Sequence, residues 1–388
     1  MYTDLMTNAS PTARRVAALA AALLASAAAV AAEPQGERIP GAAPSSPAFT
    51  MRFDDNRPAQ WWRDVCEIFE RHGFRCSLAV NAALLSESQG ACLRELAERG
   101  HEIMDHTPSH SIDSIVYPDQ ASFERASRLP FAHDADPVQR RVFFDWEADD
   151  DDERNVTFRA KVVDGELVLA GPYAGKKPPA RFFRMPGRPG IFGYKEEGGR
   201  FLLRDFWRRT PAETIRLEEC DVLGYSGWAL HPCDGFLREL ASVTRERFDH
   251  FGIPRPTVWI FPGGWCGPVR QDAMERVYGG EFGYIGADAQ LGPAKSCEGR
   301  WSAAYNSMEF FDGDSAATPE DLVAKIEARI AAGKSHVTLS HMQTRDIRGF
   351  LEKTERFAAL LEERKVPVLT MGGSIESRFG GDGRGQKP

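Results

Sequence analysis

The sequence has little cysteine, no excess of basic residues and no long apolar stretch beyond its first residues. Its 388 residues include 7 cysteines, too few for a disulfide scaffold of this size and an odd number that cannot all pair internally. The net charge of −8 excludes a broad basic surface for nucleic acid. With 42% hydrophobic and 27% charged residues, the composition is globular and excludes a wholly disordered or coiled-coil chain.

The long apolar stretch lies at the N-terminus. Arg14 and Arg15 precede an Ala-rich stretch over residues 16–32, which ends in small residues at Ala-x-Ala spacing. This order predicts a signal peptide over residues 1–32 and an exported protein, periplasmic or extracellular, with no membrane span after cleavage. An uncleaved anchor or an Ala-rich amphipathic helix is the alternative. Residues 33–47, rich in Pro, Gly, Ala and Ser, predict a linker.

Export implies an oxidising compartment, in which cysteines can form disulfides. The sequence does not select among the candidate pairs, which are Cys66 with Cys76 or Cys92, Cys220 with Cys233, and Cys266 with Cys297.

Strand and helix patterns alternate in two parts of the chain. Strands are predicted at 48–53, 74–80 and 101–105, and then at 257–261, 282–287, 336–340 and 366–371, with helices between them. This alternation predicts an α/β fold with parallel strands. Residues 115–234 break the pattern and predict an insertion with β character, in which Asp164-Gly165 is a type I′ hairpin signal.

Chemically active side chains follow three of the predicted strands. They are the pair Asp54-Asp55, the pair His106 and His110, and His341. Parallel-sheet enzymes place their sites at this end of the strands. Two histidines and a carboxylate can bind a metal and leave positions open for water and substrate, while the second aspartate acts as base. Each feature alone is more often a helix cap or a surface group, but their joint placement favours a site.

These segments resemble the motifs of polysaccharide deacetylases, the chitin deacetylase-like carbohydrate esterases. The stretch Phe49-Thr50-Met51-Arg52-Phe53-Asp54-Asp55-Asn56 is similar to the first motif, residues 100–110 to the second and Leu339-Ser340-His341 to the last. The resemblance implies a distorted (β/α) barrel of about seven parallel strands. It also implies a divalent metal, usually zinc, and removal of N-acetyl groups from an amino-sugar polysaccharide, with an N-acetylated glycan as substrate.

The resemblance assigns roles by position. Asp54 matches the general base, and His341 matches the general acid. Asp55, His106 and His110 match the metal ligands.

Two motifs depart from the family pattern. The third is an Arg-x-Pro-aromatic loop that orients the base; here the corresponding stretch, Phe261-Pro262-Gly263-Gly264-Trp265, lacks the arginine. Trp265 could stack on a sugar ring, and Arg184, in the insertion, could supply the missing guanidinium. The fourth motif, which holds the acidic partner of the acid histidine, is degenerate, and Asp288 is its best candidate.

The resulting domain prediction places a polysaccharide deacetylase-like barrel in residues 48–114 and 235–375, the insertion in 115–234 and a flexible tail in 376–388. The altered third and fourth motifs keep two alternatives open. One is a hydrolase of another amide or ester on the same scaffold, and the other is a non-catalytic glycan-binding protein. The sequence does not indicate the sugar or the oligomeric state.

Overall fold

The structure is a computed structural model that describes residues 47–205, 212, 214–264, 269–290, 300–301, 303–305, 307–311 and 316–379. The predicted signal peptide, the linker up to residue 46, Trp265, Cys266 and Cys297 lie outside these residues. Within the described part of the chain, no helix combines the length and apolarity needed to cross a membrane.

The chain begins with the predicted alternation of strands and helices. The elements are β1 (Phe49–Asp54), α1 (Ala59–Arg71), β2 (Ser77–Val80), a 3₁₀ turn (Ala82–Leu84), α2 (Glu87–Glu98) and β3 (Glu102–Asp105). A capping box begins α2: the Ser86 hydroxyl accepts the Gln89 N–H, and the Gln89 side chain accepts the Ser86 N–H. Helix α1 packs one apolar face inward because its buried residues recur every three or four positions, at Trp62, Val65, Cys66 and Phe69.

The insertion is mostly β-structure. Its elements are β4 (Ser114–Val116), α3 (Gln120–Ala126), β5 (Ala132–Asp136), β6 (Arg141–Phe144), β7 (Trp146–Ala148), β8 (Val156–Val163), β9 (Glu166–Leu169), a 3₁₀ turn (Gly171–Tyr173), β10 (Phe182–Arg184), β11 (Phe192–Glu197), β12 (Arg200–Asp205), β13 (Leu217–Tyr225) and β14 (Leu230–Pro232). Strands β8–β13 close into a barrel with its own apolar core, whereas β4, β6 and β5 form a small sheet and β14 pairs with β7.

The predicted hairpin in the insertion is confirmed. Strands β8 and β9 pair antiparallel, with Val163 opposite Glu166. The two residues between them, Asp164 and Gly165, both have positive φ, 49° and 76°, as a type I′ turn requires.

Alternation resumes after the insertion. The elements are α4 (Asp234–Phe251), β15 (Val258–Ile260), a 3₁₀ turn (Pro262–Gly264), α5 (Gln271–Met274) continued by a π-helical segment (Glu275–Glu281), β16 (Gly286–Gln290), β17 (Ala303–Tyr305), β18 (Ser307–Glu309), α6 (Pro319–Ala331), β19 (His336–Ser340), α7 (Ile347–Glu363) and α8 (Met371–Phe379).

Eight strands from the two flanking segments form one parallel sheet in the order β17-β16-β15-β3-β2-β1-β19-β18. Within this sheet, each strand lies beside the sheet strand that comes next in the chain, except that β17 and β18 lie at opposite edges. This is the order of a singly wound β/α barrel. The predicted fold class, a distorted barrel of parallel strands with a β-containing insertion, is confirmed.

The two edge strands of this sheet are nearly continuous in the chain. Strand β17 ends at Tyr305 and pairs with β16, whereas β18 begins at Ser307 and pairs with β19, both in parallel. One short length of chain therefore joins the two edges of the curled sheet.

Two predicted strands differ from the structure. The strand expected at 282–287 begins only at Gly286, because Phe282 and Tyr284 pack against Tyr278 within the preceding π-helical segment. The strand expected at 366–371 contributes one bridge, from Val368 to Phe49. Helix α8 begins next to it, where the Thr370 hydroxyl accepts a backbone N–H, and it continues through residues 376–379, which were expected in the tail.

His336, at the start of β19, is buried, and neither ring nitrogen has a hydrogen-bond partner. Its ring stacks on Phe49 with the centroids 6.5 Å apart. Burial, together with the positive charge of Arg329, lowers the pKa of His336 from 6.5 to about 4. Between pH 6.5 and about pH 4, the unfolded chain therefore binds a proton at this histidine that the folded chain does not bind. The free energy of unfolding falls as the pH drops through this range.

We predict that His336→Phe reduces this acid sensitivity, because the new ring keeps the stack on Phe49 and cannot bind a proton. Between pH 7 and pH 4 the wild-type protein should lose about 3 kcal/mol more of its free energy of unfolding than the variant. Urea denaturation at several pH values measures the difference. The exposed His250→Phe serves as control and should keep the wild-type slope; equal slopes for all three proteins would contradict the prediction.

Candidate metal centre

The three predicted site segments meet at the carboxyl edge of the parallel sheet. In the strand register, Phe53 lies opposite Ser340 and Asp54 lies opposite Ala79, while Asp105 lies opposite Trp259. Because all these strands run in the same direction, the residues that follow β1, β3 and β19 leave the sheet at one end. The sheet therefore brings Asp55, His106, His110 and His341 to the same edge.

Asp55, His106 and His110 form a compact group of possible metal ligands. The Asp55 Oδ1 atom lies 3.6 Å from Nε2 of His106 and 3.5 Å from Nε2 of His110. One donor atom from each residue lies within 4.8 Å of the other two. The structure thus brings together the three ligands predicted from the sequence.

His106 is held with one nitrogen turned toward this group. Its Nδ1 lies 3.1 Å from the Ile260 carbonyl oxygen, which can only accept, so Nδ1 carries the proton and Nε2 keeps its lone pair. Burial lowers the pKa of His106, which favours the neutral ring that metals bind. A carbonyl behind a histidine is a common support for a metal ligand.

The backbone around the ligands is strained. Asp55, Thr107 and His110 have positive φ, at 69°, 61° and 55°, and Met342, which follows His341, has φ of 48°. Such residues cost about 1–3 kcal/mol each and concentrate at functional sites. The strain turns the side chains after all three strands into positions that regular strands or helices would not reach.

Buried polar side chains hold this strained backbone in place. Asn81, directly after β2, donates to the carbonyl oxygens of His106 and Thr107 at 2.8 and 3.3 Å, and its own N–H donates to Asn56. The fully buried Asp105 accepts from the Thr107 N–H at 2.8 Å. Burial raises the pKa of Asp105 to about 7, although its hydrogen bonds favour the charged form.

The Asp105 carboxylate has two further donors, both from segments that follow the insertion. The hydroxyls of Thr244 on α4 and of Tyr284 before β16 donate to it at 2.9 and 2.8 Å. This carboxylate therefore fixes the second motif loop to the C-terminal half of the barrel.

Asp54, the predicted base, is bound to a buried guanidinium. Arg52, two residues earlier on the same face of β1, donates from Nη2 to Asp54 Oδ2 at 3.0 Å, and its Nε lies 2.9 Å from Oδ1. Arg52 Nη1 also donates to Asp288 on β16. All three side chains are at least 96% buried. The guanidinium that contacts Asp54 is therefore that of Arg52, which lies on the same strand, β1.

The other predicted residues are placed as follows. Arg184 pairs with Asp150 inside the insertion, at 2.5 Å, and does not reach Asp54. Asp288, proposed as the partner of the acid histidine, forms its ion pair with Arg52. Pro262 and Gly263 follow β15, just beyond the Ile260 carbonyl that supports His106. Trp265 lies outside the described residues.

Arg57 links the first and last motifs. Its Nη2 lies 3.6 Å from Asp55 Oδ2, and its Nε donates to the backbone carbonyl of His341. The His341 side chain is half-buried at the end of β19, next in register to Asp54. The predicted acid thus lies on the strand adjacent to the predicted base.

Sequence reasoning missed Arg52 and Asn81. The available signal for Arg52 was that it is the one charged residue in the stretch Phe49–Phe53. Its two-residue spacing from Asp54 places both side chains on the same face of the strand. Asn81 had a similar signal, since it follows the apolar strand β2 directly.

Comparison with known proteins finds a family model that matches part of the chain. Residues 42–127 match the family model described as polysaccharide deacetylase. Comparison with curated protein sequences gives no match. The resemblance noted from the sequence motifs is therefore confirmed over the segment that carries β1, β2, β3 and the first two motifs.

Several solved structures are similar at low identity. A family 4 acetyl xylan esterase from Clostridium thermocellum, in complex with a cobalt ion, has 10% identity and a TM-score of 0.40, with 87% of this chain and 98% of that chain covered. A family 4 carbohydrate esterase from Streptomyces lividans has 9% identity, a TM-score of 0.38 and coverages of 84% and 92%. A CE4 family pseudoenzyme from Bacillus anthracis has 7% identity, a TM-score of 0.41 and coverages of 87% and 68%.

We predict that Arg52→Met destabilises the protein by about 3–5 kcal/mol, because it leaves two buried carboxylates without a counter-charge. Adding Asp288→Leu should recover part of this loss, since it removes one of those charges. Chemical denaturation of the wild type, both single variants and the double variant measures the coupling. Arg184→Met breaks an exposed Arg–Asp pair and should cost at most about 1 kcal/mol. Additive effects of the two buried substitutions would refute the coupling.

Proposed function

We propose that this protein is a metal-dependent deacetylase that removes N-acetyl groups from an amino-sugar polysaccharide. The observation that carries the proposal is the placement of Asp55, His106 and His110 within ligand distance of one another, beside Asp54 and His341. The family match over residues 42–127 supports the same reaction class.

The donor set fits a divalent cation. Two imidazoles and one carboxylate are the ligands that zinc accepts in catalytic sites, where a fourth position stays open to water or substrate. The carboxylates of Asp54, Asp55 and Asp288 outnumber the guanidinium groups of Arg52 and Arg57 around them, so the site also favours a cation electrostatically. We propose Zn²⁺ as the metal.

Each predicted residue then has a task. A divalent cation held by the three ligands would polarise the acetyl carbonyl and acidify a water. Asp54 accepts the proton of the attacking water, and the contact with Arg52 fixes the direction of that carboxylate. His341, in its protonated form, donates to the amine nitrogen, which is otherwise a poor leaving group.

Export of the protein is part of the proposal. It rests on the Arg14-Arg15 pair, the Ala-rich stretch and the small residues that end it at residue 32. A mature N-terminus at residue 33, determined on protein recovered outside the cytoplasm, would support it, and an intact Met1 on that protein would contradict it.

We predict that the three ligand substitutions Asp55→Ala, His106→Ala and His110→Ala each lower the bound zinc of the purified protein below one equivalent. Each removes one of only three protein donors, so affinity should fall at least tenfold. Metal analysis after dialysis against a weak chelator gives the readout. Asp134→Asn, an exposed aspartate of the insertion, is the matched control and should bind zinc like the wild type. Full zinc content in all three ligand variants would exclude this site.

We predict that Asp54→Asn retains the metal and loses acetate release by about 10²–10⁴-fold, because the amide cannot accept the proton of water. Acetate is measured on a panel of acetylated glycans and on small acetyl esters, with metal content determined in parallel. Normal turnover in Asp54→Asn would reject the base assignment. Wild-type turnover of the small esters alone would favour the alternative hydrolase, and glycan binding without turnover would favour a non-catalytic protein.

A further inference from the structure

A second group of reactive side chains lies at the amino ends of β2 and β3, at the opposite end of these strands from the candidate metal centre. Cys66 in α1, Cys76 directly before β2 and His101 directly before β3 are all buried. One donor atom from each lies within 4.8 Å of the other two. The group could bind a metal, or its two thiols could form a disulfide. The hydrogen bonds of the histidine ring distinguish these alternatives.

Both nitrogens of the His101 ring are already engaged. Nδ1 accepts the backbone N–H of Cys76 at 3.0 Å, so its lone pair points at that proton. Nε2 lies 2.7 Å from Glu70 Oε1, and Arg99 donates to the same carboxylate, so Nε2 carries a proton that it donates. A ring held in this way has no lone pair for a metal, which leaves the two thiols as the reactive groups.

The other cysteines of the described part of the chain have different surroundings. The Cys92 thiol donates to the Ala59 carbonyl oxygen at 3.4 Å, and the Cys233 sulfur accepts the Phe236 N–H at the start of α4. Of the partners that the sequence left open for Cys66, only Cys76 belongs to the same group.

We propose that Cys66 and Cys76 form an intramolecular disulfide that ties α1 to the start of β2. The oxidant is a disulfide, either a small-molecule disulfide or a protein disulfide oxidant, that meets the chain as it folds. The Cys66 thiolate attacks one sulfur of this disulfide and expels the other as a thiolate. Cys76, losing its proton, then attacks the Cys66 sulfur and expels the second thiolate, so that one disulfide is reduced for each one formed.

The surroundings favour Cys66 as the first attacking group. Burial opposes ionisation of this thiol, but the hydrogen bond with Cys76 and the adjacent His101 ring outweigh it and lower the pKa of Cys66 to about 6. Burial and the adjacent Cys66 instead raise the pKa of Cys76. A thiolate next to a neutral thiol is the starting state that disulfide exchange requires.

The test uses the full chain, refolded in a buffer of reduced and oxidised glutathione. It is then denatured, treated with iodoacetamide, digested and analysed by mass spectrometry before and after reduction. The expected result is one cross-linked peptide pair joining Cys66 to Cys76, both protected from alkylation until reduction, with Cys92 labelled throughout. Labelling of Cys66 and Cys76 without reduction, or a cross-link of either to another cysteine, would overturn the proposal.

Two further measurements separate the disulfide from a metal site and from a purely structural effect. Reduction should lower the Tm of the wild type by about 5 °C, and it should not shift the Tm of the Cys66→Ala/Cys76→Ala variant. Cys92→Ala, the matched control, should respond like the wild type. A second equivalent of zinc in wild-type protein that disappears in Cys66→Ala would overturn the disulfide in favour of metal. If the double variant fails to fold, the peptide mapping of wild-type protein decides alone.

Discussion

The contact of Arg52 with both Asp54 and Asp288 depends on the curvature of the whole sheet. Arg52 lies on β1 and Asp288 on β16, and three strands separate them in the sheet order. In a flat sheet the two strands would be about 19 Å apart, well beyond the reach of one arginine side chain. The ion pair is therefore made across the interior of a curled sheet, and the buried charges would be left uncompensated if the sheet opened. Site and barrel thus stabilise each other, because the group that orients Asp54 is also the group that links opposite walls.

The sequence predicts those parts of the fold that depend on local patterns. Residue type and spacing within a short window predict the Asp164-Gly165 turn, the strand at His336–Ser340 and the helix that begins at Pro319. The grouping of Asp55, His106 and His110 could be predicted for another reason, because the strands that precede them are parallel in one sheet and end at the same edge. The sequence does not predict that Arg52 joins Asp54 to Asp288, because Asp288 lies on a strand more than two hundred residues away in the chain. Nor does it predict the closed barrel of the insertion, whose closing pairs, β10 with β13 and β12 with β9, are not hairpin neighbours.

The candidate metal centre combines strained backbone with rigid support. Positive φ at Asp55, Thr107 and His110 is unfavourable by itself, and it persists because the surrounding hydrogen bonds leave few alternatives. Asn81 and Asp105 provide these bonds, and both bind the backbone of the loop at His106 and Thr107. A substitution at either position would displace the ligands without removing one, so the effect on a bound metal would come through geometry.

The length of chain from Ala303 to Glu309 has a consequence for solubility. A curled sheet that stops short of closing normally has two exposed edges, each able to pair with a strand of another molecule. Here the same length of chain forms both edges, and it divides into two strands of three residues each. An edge of three residues offers too few hydrogen bonds to hold a foreign strand. The shortness of β17 and β18 therefore disfavours edge-to-edge association of the barrel.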